Sequence, residues 1–406
     1  MLATTVTVKA QGNNSGMGGT TGDYESLAER VLNLEKKNDM FNVYFNYTAA
    51  AQASDEQGPW QSRIAAKELR FEIMGQLTDR ISYRFRHRLN KSNAAMSADN
   101  FAKATDMMFV DYKLSDKVHI AGGKVSQAWG GFEYDENPMF IYQYSDFCEY
   151  MEIFFGGAYV AYNPVPTQEI VLQVTHTDNG SMADYYGTTP MAFDGTSWQA
   201  EPLEQSRHPF TYILNWNGSF ADDLLQTRWS AGVQTQARNH YSKVLMLGQQ
   251  LNLPRLKWYV DYMERWDDVD RYGYASKELN AGNFLHLCSD GGATGDDVPG
   301  DVGYYFTDTH VRSLVTKARW TLAPQWKLMV KGMYDVSSVR KVEEYKNYRH
   351  SLGYLGSLEY YPARGQDFRL YLAYIGRHHD YSWRCGIPDR NTNRIELGMM
   401  YRMKCF

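Results

Sequence analysis

The sequence predicts an all-β fold, a transmembrane antiparallel β-barrel of sixteen strands, preceded by a short N-terminal α-helix. Three observations carry this. Segments of alternating polarity recur along the chain. In "ISYRFRHRLNK", Ile81, Tyr83, Phe85 and Leu89 fall on one face and Arg84, Arg86 and Arg88 on the other, the period of two of a strand. Connections between segments alternate between short and long, the layout of an outer-membrane barrel and not of a sandwich. Mean hydropathy is −0.54, and no apolar run reaches the ~18 residues of a membrane-crossing helix. That excludes helical spans but not strands, which are apolar only at every second residue.

Residues 1–22 read as a flexible leader. "MLATTVTVKAQ" holds Val8-Lys9-Ala10, close to a small-residue cleavage site, but its apolar stretch is short and no basic region precedes it. A signal remnant to about residue 10 and a disordered tail both fit. "QGNNSGMGGTTG" follows, a low-complexity linker. Residues 23–39 predict a helix, with Asp23 at its N-cap and Glu25 in its first turn. Tyr24, Leu27, Val31 and Leu34 follow 3-4 spacing with Asn38 next in the seam. Two heptads are too few to associate alone. The segment is either an amphipathic helix packed on its own domain or a short coiled coil between chains already gathered.

Residues 40–406 predict the barrel. Its apolar faces run through Phe41–Tyr47, Leu69–Leu77, Ile81–Leu89, Met108–Leu114, Val118–Ile120, Ala158–Tyr162, Ile170–Val174 and Phe210–Trp216. They continue through Leu225–Val233, Val244–Leu247, Leu256–Tyr262, Leu314–Trp320, Trp326–Tyr334, Leu352–Tyr360, Phe368–Tyr374 and the closing "RIELGMMYRMKCF". Long outer connections fall near 91–104, 123–152, 178–208, 268–310, 336–348 and 378–391, while the first and fifth outer connections are short. With 31 Tyr and 18 Phe, the usage favours strands and interfacial girdles. Gly398, Tyr401, Met403 and Phe406 close the last strand in the manner of an assembly signal, with Phe406 on the opposite parity from Tyr401.

In such a barrel the apolar faces meet lipid and the polar faces line a lumen, and sixteen strands leave an aqueous channel. The pore-lining basic set is then Arg70, Arg84, Arg86, Arg88, Lys113, Arg228, Arg238, Lys317, Arg319, Lys331 and Arg369, with Lys257, Arg265, Lys327, Arg377 and Arg402 of the same parity. Acids on these faces are fewer, so a net charge of −5 is compatible with a positive pore whose field favours anions. The mild charge offers no case for nucleic acid. The third outer loop, 123–152, carries Glu133, Asp135, Glu136, Asp146 and Glu149. Folded inward, it would set carboxylates against the arginines at a constriction.

No catalytic set is evident: G-x-S-x-G, H-E-x-x-H and P-loop motifs are absent. No cofactor is expected. Asp290, Asp296 and Asp297 offer oxygen donors for Ca²⁺ in an outer loop, but without the ligand spacing of an EF-hand. Cys288 and Cys385 both fall in outer loops of an oxidising location.

The stretches "LAERVLNLEKKNDMFNVYFN", "GGFEYDENPMFIYQYSDF" and "KWYVDYMERWDDVDRYGY", with the aromatic terminus, carry a resemblance. From Asp23 onward the chain resembles the porin O and P family, the phosphate-selective porins, in the form common among Bacteroides-like Gram-negative bacteria. The resemblance implies a homotrimeric sixteen-stranded channel in outer-membrane lipid, assembled by the barrel-assembly machinery, with residues 24–38 as a periplasmic trimeric coiled coil. Phosphate-selective members line the pore with an arginine ladder, which Arg84, Arg86 and Arg88 match in chemistry. The expected function is a passive diffusion channel for small hydrophilic solutes, anion-leaning. The alternatives are a barrel lipase or protease and a soluble all-β carbohydrate-binding protein.

Overall fold

The computed structural model describes residues 40–56, 58–187, 189–194, 200–279, 302–363 and 366–405. In chain order the strands are β1 (Asn42–Ser54), β2 (Gln61–Thr78), β3 (Ile81–Arg88), β4 (Thr105–Ser115), β5 (Val118–Ser126), β6 (Phe154–Val165), β7 (Gln168–His176), β8 (Thr189–Phe193) and β9 (Ala200–Pro202). Then come β10 (Phe210–Phe220), β11 (Leu225–Ala237), β12 (His240–Leu253), β13 (Leu256–Val269), β14 (Val302–Ala323), β15 (Trp326–Val339), β16 (Arg349–Tyr360), β17 (Asp367–Tyr381) and β18 (Arg390–Lys404). Sixteen of them, all but β8 and β9, form one antiparallel barrel in sequence order. β18 closes it on β1, from Tyr44 opposite Lys404 to Ser54 opposite Arg394, while β2 pairs along the other edge of β1. No helix among the described residues is long and apolar enough to cross a membrane.

Side chains alternate as the lipid reading requires. On β17, Leu372 is 53% exposed while its neighbours Tyr371 and Ala373 are 2% and 1% exposed. Met108, Val110, Leu172, Leu214, Leu314 and Leu397 are likewise exposed on their strands, whereas Arg70, Arg84, Arg86 and Arg265 are among the most completely buried side chains. A water-soluble sheet would show the reverse. Aromatic rings gather toward the short-turn ends: Trp216 packs edge-on against Trp229 at 5.3 Å and Phe368 edge-on against Tyr401 at 5.3 Å, while Trp326 lies tilted against Tyr360 at 4.7 Å. Amphipathic rings favour the headgroup level.

Among the register shifts in the wall, two turn a charged side chain against the simple parity. Between β1 and β2 the register slips after Thr48 opposite Glu68, so Lys67 has no opposing residue. Between β3 and β4, Arg86 faces Met107 but His87 faces Thr105, which leaves Asp106 unopposed. An extra residue in one strand turns its side chain toward a face that counting by twos does not assign. Lys67 and Asp106 both point toward charged partners inside the barrel.

Among the described residues the outer connections add four short α-helices: α1 (Phe132–Asp135), α2 (Asp146–Glu149), α3 (Met182–Tyr186) and α4 (Tyr274–Glu278). β14 extends outward beyond the barrel wall, where β8 pairs with it in parallel and β9 adds to β8. The expected helix residues Tyr24, Leu27, Val31, Leu34 and Asn38 lie outside the described residues, as do Cys288, Asp290, Asp296, Asp297 and Phe406.

Because Leu372 faces hydrocarbon, Leu372→Arg is expected to destabilise the barrel by about 2 kcal/mol or more. Equilibrium unfolding in phospholipid vesicles measures this, and unchanged stability would contradict the outward placement of this face.

Candidate functional site in the barrel lumen

The connection between β5 and β6 folds into the lumen, where wall residues far away in sequence anchor it. Asp261 on β13 accepts hydrogen bonds from the backbone N–H groups of Phe132 and Glu133 at 2.9 and 2.7 Å. Asp335 on β15 accepts from those of Asp146 and Phe147 at 3.2 and 3.3 Å. Each carboxylate meets orphan donors at the start of a short helix, α1 and α2, where no intrahelical acceptor exists. Close approach is permitted by glycine: a Cβ on Gly130 would lie 2.6 Å from the Arg228 carbonyl oxygen, and one on Gly248 would lie 2.9 Å from Gly131 Cα.

The loop's own carboxylates complete the anchorage. Glu133 takes Lys331 of β15 at 2.5 Å and accepts from the backbone and hydroxyl of Ser145. Asp135 pairs with Arg228 of β11, Glu136 with Lys317 of β14, and Asp146 with Arg377 of β17 and Arg349 of β16. Burial alone would raise the Glu133 carboxyl, yet Lys331 and Ser145 hold it below the usual glutamate range. Against the same burial, Arg377 and Arg349 hold Asp146 low.

A second charged cluster stands on the wall formed by β2, β3, β4 and β18. Arg84 binds Glu72 at 2.5 Å, with Arg402 at 3.6 Å from the same carboxylate. Asp106 is shared by Arg86 at 3.1 Å, Arg88 at 2.8 Å and Arg70 at 3.5 Å, and Glu68 holds Arg70 at 2.8 Å. Five guanidiniums meet three carboxylates, leaving two positive charges in excess. Lys67, turned inward by the bulge, binds Glu396 at 2.5 Å.

Between this wall and the inserted loop lies a cavity of about 300 Å³. Thr48, Lys67, Glu68, Arg70, Arg88 and Met400 line it from the barrel, and Met139, Ile141, Tyr144, Glu149, Met151 and Ile153 line it from the loop. Glu149 reaches lumen water, but the surrounding wall raises its carboxyl above the usual glutamate range by desolvation. The rest of the lumen is more closed. Inward residues of β4 to β7, among them Met107, Phe109, Ala121, Tyr159 and Val171, pack with Trp129, Phe132, Phe140 and Phe147 of the loop into one apolar cluster.

A closed barrel with an anchored loop inside it is a channel architecture. The family model for phosphate-selective porin O and P matches residues 41–403. The chain belongs to this family. It is an outer-membrane porin, a passive diffusion channel and not an enzyme. Solved structures share its fold. The outer membrane channel DcaP of Acinetobacter baumannii aligns over 89% of this chain and 97% of its own at 10% identity, with a TM-score of 0.57. Salmonella typhi OmpF, in complex with daunomycin, covers 90% and 98% at 8% identity and TM-score 0.56. The anion-selective porin from Comamonas acidovorans covers 90% and 100% at 8% identity and TM-score 0.54. No curated protein matches.

The porin's lumen differs from the expected one in three respects. The loop carboxylates Glu133, Asp135, Glu136 and Asp146 do not confront Arg84, Arg86 and Arg88; they are held by bases on other strands, and only Glu149 lines the cavity. The arginine ladder is not a bare positive surface, since Glu72 and Asp106 stand between its members. Arg238 is not on the wall: it lies in the outer turn between β11 and β12, largely exposed and paired with Glu204. Lys113 keeps its inward parity but sits at the opposite rim, paired with Asp116 at 2.7 Å. Arg319 and Arg369 meet at Glu359 on β16, at 2.7 and 3.0 Å. Reading by parity missed Lys67 and Asp106, and gave no sign of Tyr144 or Arg349. Among the described residues no cluster of His, Cys, Asp and Glu is arranged to hold a metal.

Lys331→Met strands the buried Glu133 carboxylate, a change that costs about 3–5 kcal/mol for a buried pair. Loop anchorage should weaken, so single-channel conductance in planar bilayers should rise and become noisier. Adding Glu133→Gln should restore quiet openings. Identical traces for Lys331→Met and the parent would refute the anchor.

Proposed function

We propose that the porin conducts small anions and neutral hydrophilic solutes through the passage between the inserted loop and the β2–β3 wall, with the wall setting an anion preference. The observation that carries this reading is the excess of guanidinium over carboxylate at Arg70, Arg84, Arg86, Arg88 and Arg402. A low-dielectric enclosure focuses such fixed charge onto the water that passes it. Strict phosphate selectivity is less well supported, because arginines that would grip phosphate in a bidentate manner already hold Glu68, Glu72 and Asp106. A wall that binds weakly at several points suits conduction.

The quaternary and assembly readings belong to the same proposal. The heptad-spaced residues Tyr24, Leu27, Val31, Leu34 and Asn38 support a homotrimer in which three helices meet on the periplasmic side, and the resemblance to Bacteroides-type porins supports it independently. On β18, Tyr401 and Met403 face outward near the short-turn rim, a placement in keeping with recognition of Gly398, Tyr401, Met403 and Phe406 by the assembly machinery. A soluble carbohydrate-binding role conflicts with the outward apolar faces.

Reversal potential in a potassium chloride gradient tests the proposal. The parent should prefer chloride. Replacing Arg84, Arg86 and Arg88 with Ala leaves Arg70 and Arg402 facing Glu68, Glu72 and Asp106, an excess of one carboxylate, and should shift the preference several-fold toward potassium. Cation preference in the parent, or an unmoved potential in the triple variant, would overturn the basic-wall account.

A further inference from the structure

The cavity between loop and wall has two unlike sides. The barrel side presents Lys67, Arg70 and Arg88, and the loop side presents Met139, Ile141 and Met151. Two buried donors on residues that line this cavity lack a hydrogen-bonded acceptor: Nη1 of Arg70 and the hydroxyl of Tyr144. The remaining guanidinium nitrogens of Arg70 are held by Glu68 at 2.8 and 3.1 Å. Nη1 is 3.5 Å from Asp106 without hydrogen-bond geometry. Buried donors are almost always satisfied in folded proteins, so a pair left open on one cavity marks a place for an incoming oxygen. The two groups are also close enough to interact electrostatically, and burial pushes the Tyr144 phenol well above its usual range, which keeps it a donor.

The geometry points to a binding site for organic monocarboxylates with an apolar body: Arg70 and Tyr144 take the carboxylate, and Met139, Ile141 and Met151 receive the body. This rests on the reading of the passage as an anion pathway and names the class of anion it favours. Inorganic phosphate would lose water against the thioether and aliphatic side of the cavity without compensation. A carboxylate attached to a ring or short chain keeps its charge on one side and buries its carbon on the other. At about 300 Å³ the space is at the lower end for small-molecule sites, which suits a single-ring acid better than a larger conjugate. Glu68 and Glu149 on the same cavity disfavour a second negative charge.

The test is block of single-channel chloride current in planar bilayers by sodium benzoate, sodium acetate and sodium phosphate. Benzoate should block at the lowest concentration. Tyr144→Phe removes one charge-assisted hydrogen bond and should raise the half-blocking concentration of benzoate about tenfold. Ile141→Thr should weaken benzoate block while leaving acetate block at its parental value. Heat-modifiable gel migration shows that each variant barrel is folded. Equal block by all three salts, strongest block by phosphate, or unchanged benzoate block in folded Tyr144→Phe would overturn the assignment. Each of these leaves chloride preference in the parent intact. Loss of chloride preference itself would instead refute the anion-pathway reading beneath it.

Discussion

Hydrocarbon offers no hydrogen bonds, so every backbone N–H and C=O that crosses the membrane must find its partner in the protein. The pairing of β1 with β18 satisfies this constraint by leaving the sheet without an edge. All else follows from that closure. Once the sheet is a ring, each strand has one face toward lipid and one toward the lumen. Arginines that would sit at ease in water are then gathered into an enclosed space, where an unpartnered charge is costly.

The lumen resolves this crowding with two separate charge systems. On the β2–β4 side, strand carboxylates pair with strand arginines and leave a positive remainder. On the β11–β17 side, the inserted loop brings the missing negative charge: Glu133, Asp135, Glu136 and Asp146 reach Lys331, Arg228, Lys317 and Arg377. The loop thus acts as counterion and as partition at once. Its position leaves a cavity against the wall whose bases it does not neutralise. Loop position and the positive charge left on the facing wall are consequences of one distribution of charge.

Much of this could be read from the sequence. Period-two alternation marks most of the sixteen barrel strands, though weakly near Val118–Ile120 and Ala158–Tyr162 and poorly near Val244–Leu247, because lipid tolerates few exceptions on its side: Leu370, Leu372 and Tyr374 point outward with Arg369, Tyr371 and Ala373 inward. The sorting of short and long connections gave the ends of the barrel. The lumen side is less constrained, and there reading by parity fails for identifiable reasons. Bulges at Thr48/Ala49 and Arg86/His87 turned Lys67 and Asp106 inward, and no local signal distinguishes them from their neighbours. The run Met107-Met108-Phe109-Val110 is apolar on both faces, which signals an inner face packed against protein and not against water. Partners of the loop carboxylates lie as far as 231 residues away, so residue types are visible in the sequence while the pairings depend on closure. Arg238 looked like a wall residue only because strand β11 ends one residue before it.

The central claim is that apolar faces touch lipid while the faces between them enclose the channel. Single cysteines placed in turn at positions 369 to 374 of β17, in a chain whose own four cysteines are replaced, test it most directly when labelled with an environment-sensitive fluorophore in vesicles. The account predicts that a quencher confined to acyl chains acts at Leu370, Leu372 and Tyr374 and spares Arg369, Tyr371 and Ala373. Quenching without alternation, or with the opposite phase, would contradict it.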